Sequence, residues 1–214
     1  MVNIIGDLAG QYDIFLKLLK QMPDDEVVSV GDMIDRGPQS KQVVEWFMKN
    51  GKAILGNHEH MMIDYVESNN VEDPYYSPHY NSGVWFWNGG STTFGSFDGQ
   101  LEEATRWMKS LPLYIEYDGL FISHSFVSLH EGLKRATNLA VHSDHNILWN
   151  RSYPRRMEGK FQVAGHNSQI GLRTFSDSDG DFAICIDDST KRKLTGLHWP
   201  SMKIYQQEYI NETR

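Results

Sequence analysis

Cysteine is almost absent. Cys185 is the single thiol in 214 residues, so no internal disulfide can form and a reducing compartment is expected. It stands in the apolar run "FAICI" and reads as a buried structural residue. Long hydrophobic runs are missing too: none approaches the roughly 20 residues that span a bilayer. The N-terminus shows no basic region ahead of an apolar core, so no signal peptide is expected. Together these absences predict a cytoplasmic protein without membrane partners. Positive charge is also short, with 20 Lys and Arg against 28 Asp and Glu for a net −8. That argues against binding nucleic-acid duplexes, which usually needs a basic surface. It leaves anionic substrates open, because metal ions and a few placed arginines reverse a field locally. Repeats and low-complexity segments are absent as well.

What is present is an ordinary globular composition, with 40% hydrophobic residues, enough for one sizeable core. The length fits one domain or two small ones, and a monomer is expected. The first half alternates strand and helix: "VNIIGD", "YDIFLKLLKQM", "EVVSVGD", "SKQVVEWFMKN", then "KAILGNHE" as a third strand running into a loop. Phe15, Leu18 and Leu19 share one helical stripe. Gly51 follows the second helix at a usual C-cap position. This order implies parallel strands with right-handed crossovers. Residues 64–100, rich in aromatics, Gly, Asn and Ser, read as a cap of loops and short helices. A helix is expected over 101–110. "LYIEYDGLFISHS", "FQVAGHN", "FAICIDD" and "KIYQQEYI" read as later strands, paired as hairpins, so part of a sheet should be antiparallel.

The first three strands end alike, in Gly6-Asp7, Gly31-Asp32 and Gly56-Asn57-His58-Glu59. Carboxyl ends of neighbouring parallel strands face one crevice, where ligands bind. Carboxylates gathered there repel unless a cation lies between them. His124 and His166 follow two later strands in the same way. One such residue alone reads as a turn, a cap or a hydrogen-bonded loop histidine. Five at successive strand ends read as a metal site for a hard or borderline divalent ion.

The three motifs "GDLAG" (6–10), "GDMIDRG" (31–37) and "GNHE" (56–59) resemble the GDxHG, GDxxDRG and GNHE signature of the metal-dependent phosphoprotein phosphatase (PPP) family, short bacterial and bacteriophage type. "NGGSTTFGSF" (88–97), "LPLYIEYDGLFISHS" (111–125), "LWNR" (148–151), "GHN" (165–167) and "LTGLHWP" (194–200) extend the resemblance over nearly the whole chain. It implies a single domain over 1–214, an αββα four-layer sandwich of the calcineurin-like type with mixed sheets. It also implies two divalent metal ions, manganese first, with zinc, iron or nickel as alternatives. Asp32 would bridge them, Asp7 would hold the first, and Asn57, His124 and His166 the second. Arg36 and Arg151 would clamp phosphate, since a guanidinium fork matches its geometry. His58 would donate the proton to the leaving oxygen, oriented by Asp35. Cys185 has no role as a nucleophile.

The signature expects His at position 9, where Ala9 has no donor atom. Loss of a ligand should weaken the first metal, since even outer-shell changes cost about 10–100-fold in affinity. A low-activity or inactivated form is therefore expected, through deliberate substitution. A natural enzyme using one metal or a substitute ligand, and a non-catalytic phosphate-binding form, are the alternatives; His60 has no metal role in the family. The expected substrates are phosphomonoesters on phosphorylated protein or peptide Ser, Thr or Tyr. The alternative is a nucleotide substrate, a dinucleoside tetraphosphate, for which relatives usually read GNHD. Tyr75, Tyr76 and Tyr80 are candidates for stacking on a substrate ring, whereas Trp85, Phe86 and Trp87 read as packing the cap onto the domain. Arg155 and Arg156 would extend an anion rim or lie solvated. His79, His130, His142, His145 and His198 match no ligand position and read as surface or loop residues.

Overall fold

Alternating apolar residues build two sheets that share one interior. The computed structural model describes residues 1–69, 83–128, 132–139 and 145–209. Its elements begin with β1 (Val2–Ile5), α1 (Tyr12–Leu19), β2 (Glu26–Ser29), α2 (Ser40–Asn50), β3 (Lys52–Ala53) and α3 (Asn57–Asn69). A π-helical turn, Phe86–Gly90, runs into α4 (Ser91–Ser96), followed by α5 (Glu102–Met108). Then come β4 (Tyr114–Tyr117), β5 (Leu120–Ser123), α6 (Leu133–Ala136) and β6 (Phe161–Ala164). The last strands are β7 (Arg173–Asp177), β8 (Gly180–Cys185), β9 (Lys193–Trp199) and β10 (Lys203–Glu208).

One sheet runs β10-β9-β1-β2-β3, the other β4-β5-β6-β8-β7. The first is parallel from β1 to β3 and antiparallel at β9 and β10. The second is parallel across β5, β6 and β8, with antiparallel edges. Val2, Ile4, Val28, Ile54, Leu120, Ile122, Val163, Ile184 and Leu197 form the layer between the sheets. Every second residue of β1 and β5 faces it, as the strand period requires. Ile5, Phe15, Leu18, Val43, Val44 and Phe47 pack the outer face of the first sheet under α1 and α2. The αββα sandwich with mixed sheets is thus the observed architecture.

Several local expectations change. "GNHE" opens a helix rather than a loop, because β3 is only two residues long and α3 starts at Asn57. "FQVAGHN" and "FAICIDD" do not form a hairpin with each other: β6 and β8 pair in parallel, and β8 has its antiparallel partner in β7. Gly51 does cap α2, but in an extended conformation (φ −142°), so a left-handed turn is not its reason. Crowding is: a Cβ there would stand 2.9 Å from Trp46 and 3.0 Å from Phe47. The helix expected over 101–110 is α5. Part of the expected cap, including Tyr75, Tyr76, His79 and Tyr80, lies outside the described residues, as do His130 and His142.

Candidate metal centre and active site

Each strand of the β1–β3 set hands the chain to a tight turn that delivers a polar side chain. Of the eight non-glycine residues with positive φ among the described residues, Ala9, Asp32, Asp35 and Arg36 stand at these turns and His166 at the turn after β6, the others being Asp98, Arg192 and Met202. Such backbone costs on the order of 1–3 kcal/mol per residue and persists only where its surroundings hold it. Here the turns hold one another. Ala9 N–H donates to the Asp32 carbonyl (2.9 Å), and Gly37 N–H to the Ala9 carbonyl (2.9 Å). Buried Glu59 accepts the amides of Asp32 (2.8 Å), Met33 (2.7 Å) and Gly56 (3.0 Å), tying the second turn to the third. Its burial, with the Asp32 charge beside it, pushes its pKa up to about 7.

Asp32, His124 and His166 bring one ligand atom each to within 4.8 Å of one another, all buried. Asn57 joins them. Its Oδ1 lies 2.9 Å from His124 Nε2 and 2.9 Å from His166 Nδ1, while His124 Nε2 is 3.3 Å from Asp32 Oδ1. Val30's carbonyl accepts from His124 Nδ1 at 2.8 Å. That bond fixes the tautomer and leaves the Nε2 lone pair facing the Asn57 oxygen. Burial, and His124 next to it, drive the His166 pKa down to about 3, so this ring is neutral. His166 Nε2 is buried without a hydrogen-bond partner, and the His124 Nε2 lone pair and the Asn57 oxygen face one another across about 3 Å. This is the spacing of adjacent ligands around an octahedral ion with bonds of about 2.1 Å. The donor set fits a divalent metal.

Asp7 is outside that group of three. It is buried at the end of β1 and accepts the His166 amide through both oxygens (3.2 and 3.1 Å). Burial, then the charges of Asp187 and Asp32, raise its pKa well above the usual carboxylate range. For Asp32, burial works upward, but His124, His58 and His166 outweigh it and hold the pKa at about 2.

His58 sits one residue into α3. Its Nδ1 is 2.5 Å from Asp35 Oδ2, and its Nε2 is 3.1 Å from Arg36 Nη2 and 3.8 Å from Asp32 Oδ2. Burial opposes a charged ring, yet Asp32 and then Asp35 outweigh it and lift the His58 pKa. Asp35 is itself clamped by Trp85 Nε1 (3.0 and 3.2 Å) and Thr93 Oγ1 (2.6 Å). Arg36 is exposed, as is Arg151, whose carbonyl accepts from Asn167 Nδ2 at 3.3 Å. Arg151 is close enough to depress the pKa of His166.

Sequence reasoning missed Glu59, Trp85, Thr93 and Asp187 as parts of this site. Glu59 was visible within "GNHE"; the others lie far along the chain from what they touch. Trp85 is fully buried, but Trp87, expected to pack the cap, is 91% exposed. His198, expected at the surface, is buried in β9 between Asp25 (3.1 Å) and Ser201 (2.6 Å). His145 is exposed, and His60 pairs with Asp64 at 3.5 Å. Arg156 pairs with Asp177 (2.5 Å) rather than reaching the centre. Among the described residues no helix is long and apolar enough to cross a membrane.

The chain and its fold are similar to those of known phosphoesterases. The chain is 30% identical over 110 residues to serine/threonine-protein phosphatase 2 of Escherichia coli, covering 47% of this chain and 44% of that protein. It is 25% identical over 202 residues to the symmetrical bis(5'-nucleosyl)-tetraphosphatase of Methylobacillus flagellatus, covering 86% and 66%. Both matches span less than two thirds of those relatives' own length. A solved candidate diadenosine tetraphosphatase shares the fold at TM-score 0.69 and 18% identity, covering 98% of this chain and 94% of that one. The calcineurin-like phosphoesterase family matches residues 1–193. The chain therefore belongs to the calcineurin-like phosphoesterases.

Proposed function

We propose that this chain is a dinuclear metal-dependent phosphatase that hydrolyses phosphomonoesters on protein side chains. The observation that carries the reading is the position of His58 beside the donor set, with Asp35 holding Nδ1 and Nε2 turned toward Asp32 at 3.8 Å. Asp32, Asn57, His124 and His166 would hold one ion and Asp7 with Asp32 the other, manganese being the first choice. Ions held there would lower the pKa of a bound water and offset charge on phosphate oxygens. The chain's own residues do the rest. Arg36 and Arg151 orient the phosphoryl group and take up charge on its equatorial oxygens. His58 gives its proton to the leaving alkoxide, while Asp35, fixed by Trp85 and Thr93, keeps the ring aimed. Burial around Asp35 and His58 excludes water from the proton path. Ala9 offers the first ion no ligand, so Ala9→His adds one and is expected to lower the manganese needed for half-maximal rate by about 10–100-fold.

A second reading, hydrolysis of dinucleoside tetraphosphates, is favoured by the similarity to a symmetrical tetraphosphatase over 86% of the chain. Exposed Trp87 offers a face on which a base could stack. A panel of a phosphopeptide, p-nitrophenyl phosphate and a dinucleoside tetraphosphate, run with manganese and with chelator, separates the two. The proposal expects chelator-sensitive turnover with the phosphopeptide at least about tenfold ahead in kcat/KM. The reverse order favours the second reading, and phosphate binding without turnover, even in Ala9→His, overturns both.

A further inference from the structure

Asp187 follows β8 in "FAICIDD" and lies outside every signature motif. β1 and β8 end side by side, so close that a Cβ on Gly6 would stand 2.6 Å from the Ile186 carbonyl. The next residue on each strand is an aspartate. The carboxyls of Asp7 and Asp187 are in hydrogen-bonding contact, both buried, and both within the field of Asp32. Among the described residues neither one forms an ion pair with a Lys, Arg or His side chain, the one His contact being the His166 amide to Asp7. Ser189 N–H caps Asp187 Oδ1 at 3.1 Å. That is an ordinary turn bond, and it does not explain why the carboxyl is turned onto a second carboxyl. Nearby, the Tyr209 hydroxyl is buried without a hydrogen-bond partner. Ala9, by contrast, has both backbone polar groups committed and presents only a methyl to the adjoining cavity of about 340 Å³, shared with Gln11, Arg36, Ser168 and Tyr209.

We propose that Asp187 takes the place of the missing position-9 donor, so that the first metal ion is held by Asp7, Asp32 and Asp187. This inference rests on the metallophosphatase reading above. Two buried carboxyls in contact repel unless a proton or a cation lies between them, and the ion supplies the cation. The resulting first site is all oxygen, which suits manganese or magnesium better than zinc. The second site keeps its nitrogen donors.

Titrating the metal-free full chain with MnCl₂ by calorimetry, with EPR to detect coupled manganese pairs, tests this. Wild type is expected to take up two equivalents. Asp187→Asn should bind one as before and the other at least tenfold more weakly, losing the coupled signal. Its metal-free melting temperature should be unchanged, because the new amide still offers a hydrogen-bond donor to Asp7. Ala9→His in the Asp187→Asn background should regain the second equivalent. Two wild-type-like equivalents in a folded Asp187→Asn, or a single equivalent in wild type, overturn the proposal while the metal reading stands. Failure of the folded double variant to regain the second equivalent also overturns it. No uptake by wild type at all overturns the metal reading itself.

Discussion

At the scale of single residues, the site is a set of side chains each held by a specific partner. His58→Asn removes the proposed acid and is expected to lower kcat by about 10²–10⁴-fold. Manganese affinity measured by calorimetry should stay within a few-fold. A loss of metal binding instead would make His58 structural. Asp35→Asn tests the orienting bond. Asp35 helps lift the His58 pKa, so kcat in wild type should fall only as pH rises past that raised value. The variant's alkaline limb should move to lower pH. Glu59→Gln weakens three amide contacts at once, and a urea melt should show a loss of about 1–3 kcal/mol. Asp7, Asp32, Asn57, His124 and His166 were readable from the sequence because each follows a strand, all but His124 directly after a glycine. Trp85 and Asp187 were not: the first reaches Asp35 across 50 positions, and the second depends on strands of two different sheets ending side by side.

At the scale of elements, the strand-end turns are where the fold commits itself to the site. Gly165, between β6 and His166, shows how tightly: a Cβ there would collide with Asp7 Oδ1. Gly165→Ala is expected to cost about 1–3 kcal/mol and to weaken manganese binding at least tenfold. Thermal melting and calorimetry report the two effects separately, and a variant with unchanged metal affinity would show that Asp7 is not a ligand. The β-α-β order of the first half was legible from its periodicity, since α1 and α2 each bury one stripe against the first sheet. The extent of β3 was not. Its ladder covers only Val28↔Lys52 and Ser29↔Ala53, and Leu55 N–H instead donates to the Pro112 carbonyl at 2.9 Å, a long-range choice that local pattern does not encode. The β6–β8 parallel pairing was hidden for the same reason: β7 separates them in sequence.

For the whole molecule, a net charge of −8 and a buried cluster of acids make metal the natural counterweight. Glu59, with its pKa raised to about 7, and Asp7, Asp187 and His58, also raised, bind protons more tightly folded than unfolded. Their stabilisation is full below the unfolded carboxylate range and disappears as pH climbs through the raised values. Asp32, held at about 2, acts oppositely but only in strong acid. The chelated protein should therefore melt earlier at pH 8 than at pH 5. Manganese at 100 times its Kd should return about 2.7 kcal/mol per site at pH 8. Equal urea midpoints at both pH values, unmoved by manganese, would contradict this. The most direct measurement is anomalous diffraction from crystals grown with manganese. The account predicts a strong peak bounded by Asp32, Asn57, His124 and His166, with a second beside Asp7. A clear map with no peak among these residues would contradict it.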